Sequence, residues 1–133
     1  MLTQPADASR LFGRPATSVS VPNSAHAESV CGFSANTSAD KNAIDNVTYT
    51  LLVYVYDGTT QYTSTRPKDA KVISGLGDHA FMVVRGDLVT VAFVKNGETV
   101  VLAHSITGLA NHPKASAASD QVVALAKQAA SRM

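Results

Sequence analysis

HAFMVVRGDLVTVAFVKNGETVVLAH, residues 79–104, predicts three antiparallel strands joined by two tight turns. Asn96-Gly97 lies between two apolar runs, and both residues tolerate the positive φ angles of a type I′ hairpin turn. Gly86-Asp87 forms the other turn, with glycine in the first position as a type II′ turn requires. We call these three strands the meander, and we expect the rest of the chain to be arranged around it.

The two turns fix how the strands pair, so Phe93 should face Val100 and Lys95 should face Glu98. The second of these is an opposite-charge pair at an exposed turn, worth only a few tenths of a kcal/mol. Side chains alternate between the faces of a strand, and one face of the meander is almost wholly apolar. That face comprises Ala80, Met82, Val84, Val89, Val91, Phe93, Val100, Leu102 and His104. It must be covered, whereas the mixed opposite face should be covered only lightly.

A helix is predicted at each end of the chain. Thr3 is the expected cap of the first helix, which ends at Gly13. Ser119 is the expected cap of the second, which extends from Asp120 to Ser131 and has a broad apolar side of small residues. Such a helix can approach a sheet closely, so we expect it to pack on the apolar face of the meander.

Further strands are predicted between the first helix and the meander. Val47 to Tyr56 is the most β-prone segment, and because both of its faces are apolar it should be a central strand. Ser29 to Ala35 also alternates and places Cys31 on the side of Phe33, where we expect a buried structural cysteine. Shorter strands are expected at 17–21 and 71–74. The predicted fold is therefore α+β: a twisted, mainly antiparallel sheet of five to seven strands, with the N- and C-terminal helices packed on one face.

Composition bounds the size and the class of the protein. A chain of 133 residues, 45% of them hydrophobic, is long enough to bury a core, so residues 1–133 are predicted to form a single domain. A net charge of +1 with scattered basic residues gives no reason to expect nucleic acid as a partner. No apolar run approaches the length of a transmembrane segment. A single cysteine, Cys31, excludes an internal disulfide.

Metal and cofactor sites are not predicted, although four histidines are present. His79 begins the meander and His104 ends it, which places them at opposite ends of the sheet, about 20 Å apart. The segment from Gly75 to Ala80 matches a dinucleotide-loop pattern, but strand periodicity follows it instead of the helix that would hold a phosphate. We expect no metal and no cofactor, and we interpret these glycines as a sharp turn into a strand.

Tyrosines and one loop supply the candidate binding residues. Tyr54 and Tyr56 share a face of the predicted central strand, and exposed tyrosines can line a shallow pocket or a partner surface. Tyr62 can fold back over that region. The alternative to an exposed tyrosine surface, and the one we favour, is that the polar segment from Thr59 to Ala70 covers Tyr54 and Tyr56. The full candidate set for a ligand or partner site is Tyr54, Tyr56, Tyr62, Asp78 and His79.

Two alternatives to a binding protein stay open. A small hydrolase would use Cys31 as its nucleophile or the Asp78-His79 pair as its acid and base. No nucleophile motif and no helix amino terminus accompany Cys31, so we assign no catalytic residue. A self-associating module is the other alternative, because an exposed sheet edge can form a homodimer.

Short motifs along the chain carry a resemblance to a known group of proteins. They are LFGRP at 11–15, CGF at 31–33, GLGDHAF at 75–81 and the ALA of the final helix at 124–126. Their order resembles small bacterial exported proteins and lipoproteins of unknown function, whose families share the PsbP-like α/β sandwich. The resemblance implies an extracytoplasmic setting in the cell envelope and supplies no catalytic residues. The amino terminus has no signal-peptide pattern, so we expect the leader to be absent from this chain. We therefore predict a non-enzymatic envelope protein that binds a small ligand or a protein partner.

Overall fold

The structure, a computed structural model, describes residues 2–23 and 26–133. Its strands are β1 (Thr17–Val19), β2 (Ser29–Asn36), β3 (Val47–Asp57), β4 (Lys71–Val72), β5 (His79–Arg85), β6 (Leu88–Lys95) and β7 (Glu98–Gly108). Its helices are α1 (Pro5–Phe12), α2 (Thr60–Thr65) and α3 (Ser119–Ser131), and a 3-10 turn (Ala115–Ala118) precedes α3. The predicted α+β class is confirmed.

The strands form one seven-stranded sheet in the order β1-β2-β3-β7-β6-β5-β4. Every pairing is antiparallel. The longest pairing joins β3 to β7, from Val47 opposite Gly108 to Asp57 opposite Glu98. The predicted central position of β3 is therefore confirmed. β7, the last strand of the meander, is the one that pairs with β3 and so joins the meander to the first half of the sheet.

The predicted register of the meander is also confirmed. Phe93 pairs with Ala80 on β5 and with Val100 on β7. Both residues of the second turn adopt the positive φ that the turn requires, with φ of 53° at Asn96 and 74° at Gly97. Local turn chemistry is therefore sufficient to set which side chains lie on each face.

The apolar face of the meander lies in the core, beneath α1 and α3, and we call it the inner face. Val91, Phe93 and Leu102 are completely buried there. The buried side of α3 includes Ala126 and Ala129, whose small side chains allow the helix to lie close to the sheet. Truncating Phe93 to alanine at this position would cost about 3–5 kcal/mol of stability. Both terminal helices thus pack on one face, as predicted.

The predicted caps of the two terminal helices are wrong. Gln4, not Thr3, is the N-cap of α1, and its backbone N–H donates to the Asp7 carboxylate over 2.7 Å. That carboxylate takes over the role expected of a threonine hydroxyl, while Thr3 lies buried before the helix. At α3 the 3-10 turn leads directly into the helix, so Ser119 already has helical angles and donates to the Ser116 carbonyl instead.

The predicted charge pair at the second turn of the meander does not form. Lys95 and Glu98 face each other in the register, as expected. The Lys95 ammonium instead donates to the backbone oxygen of Ala130, 2.6 Å away at the end of α3. Carbonyls at a helix C-terminus attract a cation, and the Ala130 oxygen, which also accepts from the Met133 N–H, draws the lysine away from the glutamate.

Candidate functional site

The five candidate binding residues lie on the face of the sheet opposite α1 and α3, which we call the outer face. The six-residue helix α2 lies across this face and contacts β6 and β7. Its single buried residue is Tyr62, whose ring packs on Phe81 with 5.2 Å between ring centroids. Tyr62 therefore fixes an otherwise polar helix to the small outer-face cluster that also contains Ala92 and Val94.

Tyr54 and Tyr56 are neighbours on the outer face of β3. Their rings lie nearly parallel, with centroids 6.2 Å apart and 19° between planes. Both side chains stay partly exposed, so the favoured expectation that the segment from Thr59 to Ala70 covers them is wrong. The reason is that Tyr62 turns toward Phe81 and holds α2 to one side of the pair.

A groove of about 270 Å³ separates the tyrosine pair from α2. Its lining is Tyr54, Tyr56, Gln61, Thr65, Phe81, Val83, Thr90, Ala92 and Val101. We call it the tyrosine groove. Apart from the two phenols, no residue of this lining can ionise. Burial, and then the neighbouring Tyr54, raise the pKa of Tyr56 above its ordinary value of 10.0, so the Tyr56 phenol is neutral at physiological pH. The groove is therefore apolar at its floor, polar at its rim and uncharged.

A second groove, of about 500 Å³, lies on the other side of α2. We call it the histidine groove, and its lining is Thr59, Tyr62, Thr63, Arg66, Asp78, His79 and Val94. The His79 ring lies 6.3 Å from the Tyr62 ring, between centroids. The structure thus brings Tyr62, Asp78 and His79 together, and α2 separates them from the Tyr54 and Tyr56 pair.

The glycine loop that leads to His79 is a sharp turn, as predicted. Gly75 and Gly77 adopt φ of 75° and 57°, and the Asp78 N–H then donates to the Val94 oxygen over 2.7 Å. Strand β5 begins at the next residue, His79. The loop is therefore explained by the entry of the chain into the sheet.

Cys31 lies on the opposite face of the sheet from the Asp78-His79 pair, so the candidate nucleophile and that pair do not form one site. Cys31 is only partly buried, which corrects the expected full burial, and it packs against the inner-face core. His79 is exposed on the outer face. His104 is buried beside Phe12, and its Nδ1–H donates to the Thr50 carbonyl over 2.9 Å. Burial lowers the pKa of His104 below 6.5, and the Thr50 bond opposes the shift, so this ring is a neutral structural histidine.

Metal ligands are not assembled in the part of the chain that the structure describes. Within 2–23 and 26–133, no three histidine, cysteine, aspartate or glutamate side chains lie close enough to hold one ion. Asp78 and His79 are adjacent in the histidine groove, yet the cation beside them is Arg66, which would compete with a metal for the carboxylate.

Sequence reasoning missed a third site, at one end of the inner face. A cavity of about 300 Å³ is lined by Leu2, Thr3, Ser29, Cys31, Val53, Val55, Asn96, Glu98 and Met133. We call it the terminal cavity, because residues from both ends of the sequence help to enclose it. No local pattern announces such a site, since its walls are contributed by segments up to 131 positions apart.

Among the described residues, no helix has the length and apolar character needed to cross a membrane. Compared with known proteins, the chain matches no family model, and neither a curated protein nor a solved structure matches it significantly. The PsbP-like relationship therefore stays a prediction, and function has to be argued from the geometry of the sites.

Proposed function

We propose that this chain is a non-enzymatic protein of the bacterial cell envelope that binds a small ligand in the tyrosine groove. The observation that supports this best is the uncharged groove itself, with two partly exposed tyrosines on one wall and a polar helix on the other. Ligand sites typically combine an apolar surface with a few directed polar groups, and this groove has both. The envelope setting rests on the sequence resemblance described above.

The lining of the groove defines the chemistry of the ligand. Phe81 and Ala92 supply an apolar floor, and the rim contributes the amide of Gln61 and the hydroxyls of Thr65 and Thr90. A charged ligand would lose hydration there without meeting an opposite charge, which disfavours it. A neutral ring that bears hydroxyl groups, such as a sugar unit, matches better, because its C–H face can lie on an aromatic ring while its hydroxyls meet the rim.

The size of the groove supports a small occupant. Its volume of about 270 Å³ lies just below the range typical of ligand sites, roughly 300–1,000 Å³. A single ring or one unit of a longer chain fits this space. A protein partner that inserts one side chain is the other possible occupant, and the experiment below distinguishes the two.

An NMR titration tests the proposal directly. Isotope-labelled protein is titrated with neutral mono- and disaccharides, and with sugar acids of matching size as charged controls. We expect a neutral sugar to shift the amide signals of Tyr54, Thr65 and Thr90, and the matching sugar acid to bind more weakly. Shifts confined to other parts of the sheet, or equal binding of charged and neutral sugars, contradict the ligand class.

Variants on the two sides of α2 make the test specific. Tyr54→Ala or Tyr56→Ala removes one ring of the pair and should weaken binding by about tenfold. Thr65→Ala removes a rim hydroxyl, and Thr63→Ala is its matched control because Thr63 belongs to the histidine groove. A second outcome is that no sugar binds, but a protein from envelope extracts is captured by the natural chain and not by the Tyr56→Ala variant. The groove then binds protein instead of a small ligand.

Localisation is tested separately, by fractionation of cells that express the natural gene. Recovery in the envelope or the medium is the expected outcome. Recovery in the cytoplasm alone would contradict the envelope setting. It would not affect the proposed ligand class, which the NMR titration tests separately.

A further inference from the structure

The terminal cavity lies on the face opposite the tyrosine groove, so it is a separate site. Its floor is the end of the inner face, where Cys31 pairs with Val53 and Ser29 pairs with Val55 across β2 and β3. Leu2, Thr3 and Met133 complete the enclosure from the two ends of the sequence. The walls are therefore mainly apolar, with polar groups at only a few positions.

One of those polar groups is buried without a partner. Thr3 is 1% exposed, and its Oγ1 makes no hydrogen bond to any described residue. Nearly all buried polar atoms in folded proteins have a partner, and one that does not calls for an explanation such as strain, a functional role, or a bound water, ion or ligand. Thr3 lines the cavity, so a small rotation of its side chain would let a molecule placed there supply the missing hydrogen bond.

Another polar group of the lining, the Glu98 carboxylate, has no counter-charge among the described residues. Glu98 is partly buried at the cavity, and the described residues place no basic side chain within salt-bridge distance of it. Lys95, its neighbour in the register, donates to Ala130 instead. Asp57 pairs with Glu98 on the other side, which adds negative charge to the same end of the sheet. The cavity thus has an apolar body and a negative entrance.

We propose that the terminal cavity binds a small protonated amine with a short apolar body. The ammonium donates to the Glu98 carboxylate, and the apolar body lies along Val53, Val55 and Met133. A second polar group at the far end of the molecule, such as a hydroxyl, completes the hydrogen bonding of Thr3. An anion is repelled by Glu98, and an uncharged chain leaves that carboxylate without a partner.

Cys31 is a built-in reporter for this proposal, because it is the only cysteine of the chain and lines the cavity. The rate at which iodoacetamide alkylates its thiol is measured over the same series of concentrations of n-pentylamine, n-pentanol or pentanoate. We expect the amine to protect Cys31 at about one tenth of the concentration that the alcohol requires, and pentanoate to give no protection. Equal protection by all three probes, or protection by pentanoate, overturns the proposal.

Charge variants separate binding in the cavity from general stabilisation. Glu98→Gln should abolish the tenfold preference for the amine while the alcohol still binds. Glu28→Gln, an exposed position outside the lining, is the matched control and should keep the preference. A preference that survives Glu98→Gln overturns the role of that carboxylate.

The role of Thr3 is tested with 5-amino-1-pentanol, which carries an amine and a hydroxyl. It should bind more tightly than n-pentylamine to the natural protein and equally to Thr3→Val, which preserves the shape of the side chain without its hydroxyl. Methyl NMR signals of Val53 and Val55 report binding independently of the thiol. If neither these signals nor the alkylation rate respond to any amine, the proposal is wrong.

Discussion

Arg132 joins the end of the chain to its beginning through Asp7. Its Nη1 donates to the Asp7 carboxylate over 2.8 Å and to the backbone oxygen of Leu2 over 2.7 Å. Asp7 is 3% exposed and also accepts from the Gln4 backbone and from the Arg10 guanidinium. One carboxylate therefore caps α1, connects it to the end of α3 and holds the segment that encloses the terminal cavity.

We expect Asp7→Ala to lower the free energy of unfolding by about 1–3 kcal/mol, because Asp7 is buried and its loss removes the acceptor shared by Arg132, Arg10 and the Gln4 N–H. The matched control is Asp69→Ala, which breaks an ion pair with Arg85 whose side chains are 65% and 56% exposed. Exposed ion pairs contribute little because solvent screens them, so the control should change the free energy of unfolding little. Urea unfolding measures both, and equal losses would contradict a structural role for Asp7.

Asp7 also gives the protein an acid-side pH dependence. The hydrogen bond from Arg132 is the main reason that the pKa of Asp7 lies below its ordinary value of 3.8. Because the folded state holds the carboxylate ionised, its contribution is present above pH 3.8 and is lost as the pH falls through the lowered pKa. The slope of unfolding free energy against pH in this range should be smaller for Asp7→Asn. An unchanged slope would assign the acid sensitivity to other groups.

From the burial of His104 we expect a second loss of stability, at a higher pH than the loss that protonation of Asp7 causes. Burial lowers its pKa below 6.5, so the unfolded chain binds a proton that the folded protein does not. The stability it contributes is present above pH 6.5 and is lost as the pH falls toward the lowered pKa. NMR of the ring should show a titration midpoint below 6.5, and His104→Phe should remove this part of the pH slope. A midpoint at or above 6.5 would contradict the burial argument.

Gly75 and Gly77 should respond differently to alanine. Both have positive φ, so either substitution strains the backbone by about 1–2 kcal/mol. A Cβ at Gly75 meets open space, whereas one at Gly77 collides with the backbone oxygen of Val94. Gly77→Ala should therefore cost about 1–3 kcal/mol more than Gly75→Ala. Thermal unfolding compares the two, and equal losses would mean that the loop moves away from β6 without cost.

The tyrosine pair should be visible in alkaline titration. Burial is the first cause and Tyr54 the second cause of the raised pKa of Tyr56. Tyr54→Phe removes only the second, so the Tyr56 pKa should fall but stay above 10.0 in residue-resolved carbon NMR. The stability linked to Tyr56 is present below pH 10 and is lost as the pH rises through its raised pKa. If the titration midpoint of Tyr56 is the same in Tyr54→Phe as in the natural protein, the two phenols do not interact.

The meander could be predicted because its information is local. Asn96-Gly97 and Gly86-Asp87 each specify a turn, and period-two alternation then assigns every side chain between them to a face. Most of the face that this assigned to the core is buried, but Val84 is 37% exposed, and Phe81 and Ala92 on the opposite face are also buried. The α+β class follows, since a helix with a small-residue side needs such a surface.

The caps and the sites depended on distant residues. Thr3 looks like a cap when the first helix is considered alone, but Asp7 is positioned by Arg132, 125 residues away. The tyrosines were placed on one face correctly, yet the position of α2 is set by the packing of Tyr62 on Phe81, which no local pattern encodes. No local sequence pattern indicated the terminal cavity, because its lining residues come together only when the two ends of the chain pack against the same end of the sheet.

The central position of β7 has a consequence during synthesis. Strand β3 is complete at Asp57, but its β7-facing edge has no partner until Glu98–Gly108 has been translated. Until then the growing chain exposes a long apolar edge, the kind of surface that recruits chaperones or other chains. A nascent chain halted before residue 98 should therefore bind holdase chaperones, and release should coincide with emergence of β7 from the ribosome. Crosslinking of stalled nascent chains would show this, and release before β7 emerges would mean that the first half folds alone.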